Sequence, residues 1–382
     1  MKNKPAFAIL LAVCIWMESV GLSYAVSPHF AFVANSGDNT ISVFSVDSTT
    51  GFLIPQGYRL AMGTAPTAIA VHPSGNFAYV VNFYSNTIRA FKYDASLGSL
   101  SPVGSPLATG QNPRALLVSP SGGFVYVANE FDHTISLYTV NGATGALTVS
   151  GGTAAGSLPV SLAITPSGGF LYAADYATGV ILEFAVNPVT GTLSSIGTAA
   201  AGNGSFSVAI APNGIFLYSA NLGANTVSAF KINSSTGSLT KSGNATAGTA
   251  PISIAVDATS KFAYVANQNS NDVSAYAINT TTGALTSLGA TVPAGTQPLA
   301  LTVDPNNNFV HVVNYSSDDV TTYSRNSTTG VLTPTGGVRA RMGSIAIAVT
   351  AAPAPLVYEP RFAYVIEGAD IDVFAIDSST GE

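Results

Sequence analysis

Charge, sulfur and long apolar runs are all scarce in this chain of 382 residues. Only 8% of it is Asp, Glu, Lys or Arg, against roughly 25% in an average soluble domain. The 13 Lys and Arg residues form no cluster along the sequence, and the formal charge is −6. A chain with no basic run cannot neutralise a row of phosphates, so nucleic acid is excluded as a partner. Electrostatic attachment to anionic lipid has as little to work with. Although 47% of the residues are hydrophobic, past the N-terminus no apolar run approaches the ~20 residues of a membrane-spanning helix. Helical periodicity is missing as well. The single cysteine, Cys14, sits in a segment with the pattern of a removable leader.

That leader occupies residues 1–25. Lys2 and Lys4 form a basic start, Ala6 to Met17 an apolar stretch, and Ser23-Tyr24-Ala25 a small-x-small cleavage site. The mature chain would begin at Val26, outside the cytoplasm in the periplasm or the extracellular space. Leu11-Ala12-Val13-Cys14 offers lipid anchoring at Cys14 as the alternative, though Val13 is bulky for the residue before a lipidated cysteine. With the leader removed there is no thiol: no disulfide, no cysteine nucleophile and no cysteine metal site.

What the chain does have is repetition. Phe262 to Thr286 reads FAYVANQNSNDVSAYAINTTTGALT, and the same sentence recurs along the sequence. Its anchoring dipeptides end at Asn35, Asn82, Asn129, Asp175, Asn221, Asn267, Asn314 and Glu367, in steps of 47, 47, 46, 46, 46, 47 and 53 residues. Self-similarity at such a period marks a repeat architecture. Each unit holds four short runs rich in Val, Ile, Phe and Tyr, separated by Gly, Pro and Asn, which are strand signals. Glycines at 51, 145, 191, 237, 283 and 330 recur at one hairpin position, and Pro66, Pro113, Pro159, Pro251 and Pro298 recur just before the first strand of a unit.

Four strands in about 45 residues make one blade of a β-propeller. The expected fold is therefore all-β, a seven-bladed propeller over residues 26–350. The first blade lacks its own innermost strand, and Ser344–Val349 is left unmatched at the other end. Pairing the two closes the ring and leaves no sheet edge exposed. Residues 351–361 have linker composition. Residues 362–382 read as an incomplete extra repeat, either the start of a second propeller or a hairpin laid on the ring.

With Tyr126-Val127-Ala128-Asn129 and Tyr264-Val265-Ala266-Asn267 in this setting, the chain resembles the YVTN-repeat propellers of the lactonase family. That family includes propeller-type 6-phosphogluconolactonases and surface-layer propellers. The resemblance spans residues 30 to 350, and it carries the fold more than the activity, because the matching residues are the structural ones.

In propellers the turn from second to third strand and the turn into the first strand open on one face, around the central channel. Here that face carries Asn-x-x-x-Asn turns such as Asn35/Asn39, Asn82/Asn86, Asn221/Asn225 and Asn267/Asn271. The amides either line a sugar pocket or cap their own turns. Departures from the repeat cluster in blade three. Arg114 follows Pro113 where other blades place Thr67, Val160, Ile252 or Leu299, and the turn reads Asn129-Glu130-Phe131-Asp132-His133. The next blade substitutes Asp175-Tyr176.

The Pro-Arg and Asn-Glu pairs resemble the corresponding blade of propeller 6-phosphogluconolactonases, in which a His is expected directly after the Arg; here Ala115 stands there. The candidate catalytic residues are Arg114, Glu130 and His133, with Asn129, Asp132, Asp175 and Tyr176 as candidate ligand contacts. Glu130 or His133 would activate water against a lactone carbonyl, and Arg114 would steady the oxyanion or a substrate carboxylate. Against this stands an ordinary exposed Arg–Glu pair with a solvated His133. No cofactor is implied, and no metal, since His29, His72 and His311 fall in different blades. Two functions fit: an exported binding or interaction platform, or a lactone hydrolase with its site in blade three. The partner is then a small lactone or sugar, or a protein, met by a monomer.

Overall fold

The computed structural model describes residues 29–350, together with the backbone of two further strands, Phe362–Glu367 and Asp370–Ala375. The leader with Cys14, the cleavage site before Val26, the linker at 351–361 and the last residues of the extra repeat lie outside the described residues. The two further strands pair as an antiparallel hairpin.

Every element among the described residues is a strand. Seven antiparallel sheets follow one another along the chain, each of four strands in sequence order except the first. The sixth blade runs Pro251–Val256, Phe262–Asn267 and Asp272–Ile278. Its outermost strand is split into Leu285–Ser287 and Val292–Pro293, shorter than the run to Gly289 suggests. Gly289 at φ +120 takes the chain out of the ladder before pairing resumes opposite Asp272 and Val273.

The apolar repeat follows from blades stacked face to face. Successive side chains of a strand point to opposite faces, and in the second strand of the sixth blade both faces are covered. Phe262, Tyr264 and Ala266 pack with Val310, Val312 and Leu332 of the seventh blade. Ala263 and Val265 pack with Phe216 and Tyr218 of the fifth. A strand buried on both faces has no solvent side, so its sequence is a continuous apolar run that needs few charges.

One joint recurs between all neighbouring blades. In the sixth-blade hairpin Asn279 Oδ1 accepts from the backbone N–H groups of Thr281 and Thr282 at 3.0 Å each, an Asx turn that sets up Gly283 at φ +75. The Phe216 ring of the fifth blade lies against Gly283, where any Cβ would collide with it. Phe77 meets Gly145 in the same way, and the contacts Phe309–Gly51 and Phe30–Gly98 carry the joint around the closing blade. The Gly is required twice, by its φ and by the ring above it. In five blades a tyrosine two residues after the Phe completes the joint. Tyr79, Tyr126, Tyr172, Tyr218 and Tyr264 each donate to the hairpin glycine carbonyl of the next blade, at 2.6–3.2 Å.

The first blade is closed as the repeat count requires. Its sheet order is Ser344–Val349, His29–Asn35, Thr40–Val46, Leu53–Ala61. Ala31 lies opposite Val349 and Val33 opposite Ile347. Ser344 Oγ donates to Asn35 Oδ1 at 2.8 Å, and the Phe30 N–H donates to Thr350 Oγ1 at 2.9 Å.

This junction also unites two histidines that sequence assigns to separate blades. His311 stands at the tyrosine position of the seventh blade, fully buried, with Nδ1 on Thr322 Oγ1 at 3.0 Å and Nε2 without a partner. His29, buried in the first blade, has no hydrogen bond to either ring nitrogen. Burial, with a contribution from His29, pushes His311 down to about 3. Burial lowers His29 too, against an opposing pull from Asp304. Among the described residues no three His, Cys, Asp or Glu side chains group as a metal site.

Two outcomes follow from this closure. Deleting 351–382 should leave the melting temperature of the ring nearly unchanged. Deleting 344–382 should abolish cooperative unfolding, because it removes the partner of His29–Asn35 and the half-buried Ile347 and Val349, about 1 kcal/mol each. Equal melting temperatures for the two truncations would mean that the ring closes otherwise. The histidines make the second outcome a pH effect. The unfolded chain binds protons near pH 6.5 and the folded chain does not, so stability should be full above that pH and fall below it. His311→Tyr, which restores the repeat's hydroxyl near the Gly51 carbonyl, should flatten the decline in melting temperature between pH 7 and pH 5.

Candidate active site

The innermost strands begin at the rim of the central channel, and the second residue of each faces its mouth. Around the ring these residues are Thr67, Arg114, Val160, Phe206, Ile252, Leu299 and Ile345, lining a cavity of about 150 Å³. Six are uncharged; Arg114 is the exception. Pro113 opens its strand, and Thr67 Oγ1 donates to the Pro113 carbonyl at 2.8 Å, fixing the start of the Arg114 strand to the neighbouring blade.

The Arg114 guanidinium lies 5.4 Å from the Phe206 ring centroid and 5.9 Å from that of Phe83, within cation–π range of both. Glu130, the first residue after Asn129, brings Oε2 to 3.9 Å from Arg114 Nη1. That separation pairs the charges but is too long for a hydrogen bond. Glu130 Oε2 is shielded from water and has no hydrogen-bond donor, whereas the Arg114 side chain keeps a third of its surface exposed. A buried acceptor left without a donor is unusual in a folded protein and marks this carboxylate as a functional candidate. Tyr176 completes the rim, edge-on to Phe206 at 5.7 Å.

Of the residues singled out from sequence, Arg114, Glu130 and Tyr176 therefore come together at the mouth. Four others serve the framework. Asn129 is fully buried, donating through Nδ2 to Thr134 Oγ1 at 3.0 Å and Ser136 Oγ at 2.8 Å, and accepting from the Gly110 N–H at 3.1 Å. Asn267 makes the corresponding bonds in its own blade. Turn capping, not a sugar pocket, occupies these amides. Asp132 Oδ2 accepts from the Gln111 N–H at 2.8 Å, as the Ser270 hydroxyl does from Thr249. Asp175 is buried, holding the Ser157 and Leu158 N–H groups at 2.8 and 3.0 Å.

His133 fills the left-handed slot of its turn at φ +57, where Asn39, Asn86, Asn225 and Asn271 stand elsewhere. It directly precedes the third strand, Thr134–Val140, one strand farther from the axis than Glu130. Its ring makes no hydrogen bond or ion pair with Arg114 or Glu130, so the geometry does not assemble the three as a unit. Conversely, sequence reasoning passed over Phe83 and Phe206. Both were detectable by aligning the repeats: Phe83 follows Asn82 as Glu130 follows Asn129, and Phe206 follows Ser205 as Arg114 follows Pro113.

The fold and its channel mouth define a seven-bladed propeller of the lactonase type. Residues 23–209, 198–298 and 291–347 match the family described as Lactonase, 7-bladed beta-propeller, and the chain belongs to that family. No curated protein sequence matches it. Among solved structures, a 6-phosphogluconolactonase candidate from Bacteroides uniformis superposes with a TM-score of 0.77 at 20% identity, covering 85% of this chain and 100% of that one. The periplasmic gluconolactonase PpgL of Pseudomonas aeruginosa gives 0.74 at 20% identity, covering 86% and 100%. At such identities the likeness shows the fold.

If Asn129 belongs to the frame, Asn129→Ala should lower stability by about 1–3 kcal/mol, the cost of stranding its buried partners. Asn267→Ala should match it. Chemical denaturation of both variants checks this, and an unchanged midpoint for Asn129→Ala would return that residue to the ligand.

Proposed function

We propose that this protein is a lactone hydrolase acting on unphosphorylated sugar lactones at the mouth of the central channel. The observation that carries the reading is the Arg114–Glu130 pair, with a carboxylate oxygen free of hydrogen bonds beside a guanidinium held between two aromatic rings. Family membership supports lactone chemistry, and a structural relative named a gluconolactonase supports a sugar substrate. Hydrolysis thus accounts for more than a binding platform does. The basic and apolar leader supports export, and an exported enzyme meets unphosphorylated sugars.

In this mechanism Glu130 accepts a proton from water as the water oxygen attacks the ring carbonyl. The carbonyl oxygen becomes an oxyanion, and the Arg114 guanidinium offsets its charge. Collapse of the tetrahedral intermediate breaks the bond from the carbonyl carbon to the ring oxygen. The proton held by Glu130 passes to that oxygen, and the product is the open hydroxy acid. Phe206 and Tyr176 supply flat apolar surface for the C–H face of a sugar ring. The mouth's one cation is already paired with Glu130, which leaves no counter-charge for a phosphate monoester carrying −1.5 to −2 at neutral pH.

Hydrolysis of D-glucono-δ-lactone in a pH-stat, beside its 6-phosphate, tests the reading. Glu130→Gln should lower kcat by about 10²–10⁴-fold. Arg114→Ala should lower kcat/KM without changing the melting temperature. His133→Asn should leave kcat unchanged, since it restores the residue that other turns carry. Turnover that survives both of the first two substitutions would place the chemistry elsewhere.

A further inference from the structure

Three of the chain's seven arginines, Arg59, Arg339 and Arg341, line one groove on the outer edge of the ring. Arg59 lies on the outermost strand of the first blade, Leu53–Ala61, while Arg339 ends the outermost strand of the seventh, Leu332–Arg339. The two blades are neighbours only because the ring closes. The groove has a volume of about 390 Å³, with Phe44, Pro55 and Gly57 in its lining.

Its shape has a local cause. Ser42 lies opposite Arg59 and Phe44 opposite Pro55, so three residues of the outer strand bulge over Val43. In blade three the same shift, between Leu137 and Tyr138, leaves a single residue over. Gly57 in the larger bulge, at φ +79, has open space beside its Cα.

The three guanidinium groups are exposed, and none is in an ion pair. The two ion pairs among the described residues are Arg114–Glu130 and Arg325–Asp257. Acids placed to neutralise the groove are engaged elsewhere. Asp319, opposite Arg339 in the strand register, accepts from Asn314 Nδ2 at 2.7 Å and Ser317 Oγ at 3.0 Å. Asp318 accepts from the Gly343 N–H at 3.0 Å. Asp38, in the adjoining turn of the first blade, pairs with no arginine. In a protein of net charge −6, three uncompensated arginines in one concavity have no structural purpose that the fold reveals.

We propose that this groove binds a multiply charged oxyanion, its carboxylate, sulfate or phosphate groups held by Arg59, Arg339 and Arg341. Planar guanidinium forks match such groups two bonds at a time, where lysines would act as point charges. A single carboxylate would engage one fork, so the site favours ligands carrying several anionic groups at short spacing. Those groups can belong to a free small polyanion or repeat along an acidic saccharide. The site is separate from the channel mouth, and the inference does not depend on the lactone reading.

Isothermal titration of the full chain at low ionic strength tests it with citrate, pyrophosphate and tetragalacturonate, against acetate and maltotetraose. At least one of the first three should bind while acetate and maltotetraose do not, and tighter binding of tetragalacturonate than of citrate would identify the saccharide source. Arg339→Ala/Arg341→Ala should weaken binding about tenfold or more, the scale of losing charge-assisted hydrogen bonds. Lys92→Ala should leave it unchanged. All variants should keep the parent melting temperature, because the side chains are exposed and unpaired. Failure of all three polyanions to bind better than acetate, or binding that the double substitution does not weaken, overturns the proposal.

Discussion

The contact between a phenylalanine ring and a hairpin glycine of the next blade is the constraint on which the rest of this structure depends. It sets the distance between blades, because the ring lies on bare backbone and no side chain can intervene. It also sets their rotation, because the tyrosine two residues on must reach the glycine carbonyl. Seven such contacts bring the last blade back to the first. The low charge content has the same origin: strands covered on both faces leave little surface on which a charge can be solvated.

A ring of near-identical blades gives a channel mouth lined by equivalent positions, and equivalence makes no chemistry. Function enters where one blade departs from the others. Arg114 and Phe206 occupy the same position in different blades and meet across the mouth; Phe83 and Glu130 occupy a second shared position. At the first position Arg114 and Phe206 replace small or aliphatic residues, and at the second, where three blades carry an aromatic ring, Glu130 is the one charged residue. The frame lies in the repeated residues and the site in the exceptions.

The closing blade carries a different set of exceptions. At the two junctions flanking it the repeat's tyrosine positions are held by Phe32 and His311. Its outermost strand carries a three-residue bulge, as that of blade two does, and here the bulge lies beside the arginine groove. The two buried imidazoles remain neutral there because a charged ring would lose its hydration without gaining a partner.

Blade number, strand order and the closure by Ser344–Val349 were legible in the sequence, because a period near 46 residues and one unpaired strand at each end admit little else. So were Arg114 and Glu130, as departures from a pattern that could be read position by position. Sequence could not show that Asn129, Asp132 and Asp175 are engaged by backbone N–H groups some 17 to 21 residues away, or that His133 lies a strand too far from the axis. Nor could it bring His29 to His311, or Arg59 to Arg339 and Arg341, residues separated by most of the chain. Local pattern determines what each blade is. Ring closure determines which blades touch, and a contact between the first and last repeats has no expression in the residues near either one.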